Sequence, residues 1–143
     1  MKTNFQNLVE LLKTRATDGH VDTKYYFLND NLLPIEQMNH AELWQKSKII
    51  AGEIQTVAKP KDRVLLIYSP GLELIEAFFG ALTAGVIPIL TYPPANKKMV
   101  EKLTSIIKDA KPHAILASFE VAKKIRRFRF IKILAKIPLV QCC

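Results

Sequence analysis

Apolar positions along this chain alternate between short continuous runs and longer stretches at helical spacing, and that alternation predicts the fold. Val64 to Ile67 is an unbroken apolar run, as expected of a strand buried on both faces of a parallel sheet. Ser69-Pro70-Gly71 breaks it with turn chemistry. From Leu72 to Ala84 the apolar residues Leu72, Ile75, Phe78/Phe79 and Leu82 recur at helical spacing, and Gly85 stands where a helix C-terminus favours positive φ. Val86 to Thr91 is apolar again and stops at Tyr92-Pro93-Pro94, which cannot continue a central strand. Asp62 to Pro94 thus reads as strand, helix, strand. Such a unit places its functional loops at the carboxyl ends of its strands, here Ser69–Gly71 and Tyr92–Asn96.

The flanks repeat the rhythm. Asn4 to Thr17 predicts a helix with Phe5, Leu8 and Leu11/Leu12 on one face. Lys24 to Leu28 predicts a short strand closed by a turn at Asn29-Asp30-Asn31. A second helix starts at Asn39, where Glu42 three residues on makes a capping box. Leu43, Trp44, Ile50, Ile54 and Val57 hold its apolar face to Ala58, before Lys59-Pro60-Lys61. Lys97 to Ala110 predicts another amphipathic helix, with Met99/Val100, Leu103 and Ile106/Ile107 inward. His113 to Ala117 is the next strand. Val121 to Ile137 predicts a basic amphipathic helix, with Ile125, Phe128, Ile131 and Leu134 at i+3 spacing. The expected class is α/β, a parallel sheet of βαβ units flanked by helices. No internal repeat, low-complexity segment or interdomain linker interrupts it.

The stretch DRVLLIYSPGLELIEAFFGALTAGVIPI and the Thr91–Pro94 sequence TYPP resemble the N-terminal part of acyl-adenylate-forming ligases, and within them the fatty-acyl-AMP ligases. The resemblance runs from about Phe5 to Ser118. It implies that residues 1–143 are a partial N-terminal subdomain of an AMP-binding (adenylation) domain, the opening portion of the adenylating-enzyme large domain. The implied full-length activity belongs to lipid metabolism: ATP and Mg²⁺ activate a fatty acid to an acyl-adenylate, which passes to an acyl carrier protein or a polyketide or peptide synthase module. Family members are several times longer. Their Ser/Thr/Gly-rich nucleotide loop and C-terminal lysine have no counterpart here, since the five glycines are scattered at 19, 52, 71, 80 and 85. Without a nest of backbone N–H groups there is no cradle for a triphosphate. The expectation is therefore a chain with no catalytic residue and no cofactor of its own.

Charge changes the picture at one end. Residues 1–96 carry nine Lys/Arg against ten Asp/Glu, and residues 97–143 carry twelve against three. A basic amphipathic helix at 121–137 suggests contact with an anionic membrane, or self-association through an apolar face left without a partner. That is the alternative to the ligase reading: a non-catalytic membrane-surface or interaction module. Nucleic acid is not expected, since Phe128 and Phe130 are the only aromatics inside the basic tail at 121–137 and no reading motif is present. No apolar run approaches the ~20 residues that span a bilayer. The first residues, with Glu10 and no apolar core, do not read as a signal peptide. The only cysteines are Cys142 and Cys143, so no disulfide framework is expected, and a cytoplasmic location is the simplest reading. That pair after a basic helix superficially suggests prenylation, but the thiols read as incidental.

The remaining candidates carry bland readings. His20, His40 and His113 share no metal spacing and read as structural, and no metal ligands are assigned. Ser69 lacks the glycine two residues before it that a nucleophile elbow has. Glu73 and Glu76 read as a solvated helix face. The candidate substrate-binding residues are Ser69, Pro70 and Gly71, and above all Tyr92, Pro93 and Pro94. The last three are either a rigid wall of an acyl or acyl-adenylate pocket or a strand terminator that sets loop direction.

Overall fold

The structure is a computed structural model and describes residues 4–19, 23–127, 134 and 136–142. Its elements in chain order are α1 (Leu8–Thr17), β1 (Lys24–Leu28), β2 (Pro34–Asn39), α2 (His40–Gln55), β3 (Arg63–Ile67), α3 (Leu72–Thr83), β4 (Ile87–Thr91), α4 (Lys97–Ala110), β5 (Ala114–Ser118), α5 (Phe119–Arg127) and β6 (Leu139–Cys142). Strands β4-β3-β5-β6 form a parallel sheet in that spatial order, and β1 and β2 form a separate antiparallel hairpin.

Two cores lie on the two faces of the parallel sheet. Val64, Leu66, Ala114 and Leu116 face α2 and α3, meeting Ile50, Ile54, Ala77 and Ala81. Leu65, Ile67, Ile115 and Ala117 face the other way, onto Leu103 and Ile107 of α4 and Val121, Ala122 and Ile125 of α5. All of these residues are buried, which is why β3 and β5 read as continuous apolar runs rather than alternating ones. A third cluster, Leu12, Met38, Leu43 and Leu72, seats α1 and the hairpin against α2 and α3.

Helix starts follow local chemistry. Asn39 caps α2 by accepting from the Glu42 N–H at 2.9 Å, while the Asn39 N–H donates back to Glu42 Oε2 at 2.9 Å, the predicted capping box. Asn96 caps α4 by accepting from the Met99 N–H at 3.0 Å. Asn7 caps α1 in the same way, so that helix begins at Leu8 rather than Asn4, and Leu8 is left exposed. Gly85, at φ +76°, follows α3. Helices α2 and α3 pack closely at Gly80, where a side chain would run into Ile50.

Two strands depart from the sequence-based expectation. In β2 only Met38 is buried, so its apolar pattern is too faint to announce a strand. Strand β6 lies within what reads as tail beyond the basic helix, and it extends the sheet beside β5, Ser118 opposite Cys142. The basic helix itself is described from Phe119 to Arg127. Its expected apolar face is not unpartnered there: Val121, Ala122 and Ile125 are buried against the sheet, as is Leu134. Phe128 and Ile131 lie outside the described residues. Strand β4 is an edge strand, with Ile87 and Leu90 exposed. The Ile87 N–H donates to Asp62 O at 2.8 Å, so by alternation Pro88 turns its N–H-less nitrogen to the open side, where a proline is tolerated. Among the described residues no helix is long and apolar enough to cross a membrane.

Candidate functional site

The strand order decides where a site belongs. From β3 the chain moves outward to β4, then returns past β3 to β5 and on to β6. The direction of winding therefore reverses between β3 and β5. Open α/β sheets bind ligands outside the carboxyl ends of the strands at such a switch point. The loops there are Ser69–Gly71 after β3 and the β5–α5 junction, Ser118 and Phe119, with Tyr92–Asn96 on the other flank of β3.

The structure brings both predicted loops to this rim. Ile67 stands opposite Thr91 in the β3–β4 ladder, and the Tyr68 N–H donates to Thr91 O at 3.4 Å. Ser69 and Pro70 are exposed and Gly71 is half-buried. Gly71 has φ 161° and precedes α3 directly. In the Tyr92-Pro93-Pro94 sequence the roles divide. Pro94 is buried and anchors the turn, Pro93 is half-buried, and Tyr92 is 64% exposed at the rim. Phe119, 54% exposed, stands after β5. The sequence reading missed it because its place at the switch point depends on β5 lying beside β3, which chain order does not reveal.

Three helices start at this rim, and their first turns differ in charge. Helix α3 carries Glu73 and α5 carries Glu120, whereas α4 has no carboxylate in its first turn and opens with Lys97 and Lys98. Helix N-termini attract anions, but a carboxylate in the first turn already occupies that field at α3 and α5. The residues after β3 and β5 do not fit a triphosphate.

Beside α3 a cleft of about 410 Å³ opens between β2 and α2, lined by Glu36, Glu42, Lys46 and Glu73 among others. Glu76 is not the solvated residue expected: it is buried, and Lys46 Nζ donates to its Oε1 at 2.6 Å. The partner lies thirty residues away in sequence, which is why spacing alone misplaces it. His40 stacks edge-on against Tyr25 with centroids 5.2 Å apart. Burial, and then the nearby Arg15 charge, push its pKa below the usual histidine range. His113 sits 3.6 Å from Asp62 Oδ1 at the opposite end of the sheet. His20 lies outside the described residues. Among the described residues no group of three or more His, Cys, Asp or Glu is placed to hold a metal ion.

No protein-family model matches the chain. Individual proteins do. The crystal structure of a fatty acid AMP ligase from Legionella pneumophila superposes with a TM-score of 0.84 at 39% identity, over 96% of this chain and 23% of that one. This chain belongs to the fatty-acyl-AMP ligase family. A fatty acyl-adenylate ligase from L. pneumophila, solved with acyl adenylate and pyrophosphate, matches with a TM-score of 0.80 at 37% identity, over 96% of this chain and 23% of that one. The medium-chain-fatty-acid–[acyl-carrier-protein] ligase JamA of Moorena producens is 32% identical over 151 residues, covering 96% of this chain and 25% of JamA. The chain thus spans about a quarter of the length of these fatty-acyl-AMP ligases. Its parallel four-stranded sheet with helices on both faces is the architecture expected of the opening part of an adenylating enzyme.

Proposed function

We propose that this chain supplies the opening α/β unit of a cytoplasmic ligase that activates a fatty acid with ATP and Mg²⁺ to an acyl-adenylate and passes the acyl group to a carrier protein. The observation that carries the proposal is the 39% identity and TM-score of 0.84 to a fatty acid AMP ligase over nearly the whole chain. Within that reading the rim has a defined task. Tyr92, held by the buried Pro94, is a wall for the acyl or acyl-adenylate moiety, and Ser69–Gly71 and Phe119 border the same crevice. Attack of the fatty-acid carboxylate on the α-phosphate requires positioning and neutralisation of the phosphates, and the carboxylates at the starts of α3 and α5 do not supply it. Those groups belong to the three quarters of the relatives' length that this chain does not span.

The 143 residues alone are therefore expected to bind ATP weakly and to make no acyl-AMP. Pyrophosphate release is measured on the purified chain with ATP, Mg²⁺ and fatty acids of several lengths. Release above background would overturn the assignment of the chemistry to other segments. In a full-length relative carrying this segment, Tyr92→Ala is expected to raise the fatty-acid KM more than the ATP KM. Equal changes in both, or none, would remove Tyr92 from the acyl wall.

A further inference from the structure

The two helical layers of this fold carry opposite charge. Helices α2 and α3 hold two lysines against four glutamates. On the other side, the described residues from Lys97 onward include eight lysines and two arginines against Glu101, Asp109 and Glu120, and every one of these thirteen is exposed. No carboxylate among the described residues forms a salt bridge with any of the ten cations. The inward residues of α4 and α5 are consumed by the core, so what the described residues of this layer offer to a partner is mainly positive charge. Fourteen and nine residues long, the two helices pave a patch on the order of 20 Å along each side.

We propose that the α4–α5 layer docks on an anionic phospholipid surface, electrostatically and without insertion. Three observations choose that partner. Among the large hydrophobics exposed on this molecule none lies on α4, and only Phe119, at the rim, lies on α5. A protein partner is gripped by buried aromatic or apolar anchors, and a membrane-inserting helix needs an apolar face; apart from Phe119, the described residues of this layer expose neither. Nucleic-acid strands are held by stacking on aromatics between the charges, and among the described residues of this layer only Phe119, at the rim, is aromatic. The cations are mainly lysines, mobile point charges suited to a diffuse field, whereas guanidinium forks suit fixed bidentate recognition. The acidic opposite layer turns away from the same surface, which gives the docked chain one orientation. The proposal rests on the folded layer and not on the ligase reading.

The test is co-sedimentation of the full 143-residue chain with vesicles of phosphatidylcholine alone or with about one-third phosphatidylserine. Binding is expected only to the anionic vesicles. It should fall at least tenfold between about 0.1 and about 1 M salt, over which the screening length shrinks from about 10 to about 3 Å. Neutralising Lys97, Lys98, Lys102, Lys123, Lys124 and Arg127 to glutamine should abolish it, each cation being worth about fivefold at such a surface. Trp44 emission and circular dichroism verify that this variant is folded. Neutralising Lys13, Arg15, Lys24, Lys48, Lys59 and Lys61, an equal and exposed charge elsewhere, should leave most of the binding in place. Equal losses in the two variants, equal binding to uncharged vesicles, or tighter binding to an oligonucleotide than to the anionic vesicles would each overturn the proposal.

Discussion

Replacing Gly80 with alanine sets two known effects against each other, and the structure decides between them. In a helix interior alanine is better than glycine by about 1 kcal/mol, so on local grounds the change stabilises α3. At this position the new Cβ would fall on Ile50 Cγ2 and within 2.7 Å of Ile50 Cβ, with Ser47 O at 3.4 Å. Carbon atoms pack best at about 3.5–4.0 Å, so α2 and α3 must part by roughly 1 Å. The obstacle includes a Cβ, which cannot swing aside as the end of a long side chain does. Overpacking of this kind costs about 1–3 kcal/mol, and here the upper part of that range applies. Net destabilisation of about 1–2 kcal/mol remains after the helix gain. Urea unfolding followed by Trp44 fluorescence, with Trp44 on α2 itself, reads the loss directly. Ile50→Ala alone leaves a cavity and costs about 2–5 kcal/mol, but combined with Gly80→Ala it removes Cγ2 from the clash. The pair should therefore cost at least about 0.5 kcal/mol less than the sum of the singles. A Gly80→Ala midpoint equal to or above that of the parent would refute the close approach of α2 and α3.

Further outcomes follow from the pairings and caps. Lys46→Met strands the buried Glu76 carboxylate and should cost about 1–3 kcal/mol, while adding Glu76→Leu should recover much of it; denaturant midpoints of the parent and the two variants check this. His40 resists protonation when folded, because it is partly buried and beside Arg15, and its Nδ1 has no hydrogen-bond partner among the described residues. Below the ordinary histidine pKa of about 6.5 the unfolded chain takes up a proton there that the folded chain does not. Its contribution is thus intact above that pH and is lost as pH falls through it toward the lower folded value. His40→Gln should flatten the decline in midpoint between about pH 7.5 and pH 5.5, and an unchanged slope would remove His40 as its source. Lys111 ends α4 at φ +48°, and Gly85 follows α3 at φ +76°. Lys111→Gly should therefore stabilise, and Gly85→Ala destabilise, by about 1 kcal/mol each, as read by thermal melts.

Elements whose logic is local were legible in the sequence. The apolar runs at Val64–Ile67 and Ala114–Ala117, the capping box at Asn39 and Glu42, and the stop at Tyr92–Pro94 all act within a few residues, and their positions were recoverable. What escaped depends on partners distant in the chain. Strand β2 pairs with β1 but buries only Met38, so neither alternation nor a continuous apolar run marks it. Strand β6 has four residues and becomes a strand through β5. Burial of Glu76 requires Lys46 on another helix. At the rim, Ser69–Gly71 and Tyr92–Pro94 were legible because strand ends imply loops. Phe119 joins them only through the order β4-β3-β5-β6, which no spacing encodes.

Pro88 on the open side of β4 bears on how the sheet is built during synthesis. Strand β3 emerges first and becomes an inner strand, with β4 beside it and then β5 on its other side. Nascent domains generally fold as units from the N-terminus, and here every later strand adds to an edge already present, so none has to thread a finished gap. One of the two growing edges is weakened early: once β4 pairs, Pro88 removes one outward donor that a stray strand would use. Assembly then proceeds in a single direction, through β5 to β6. The half-made protein then shows its neighbours one edge with every donor in place instead of two.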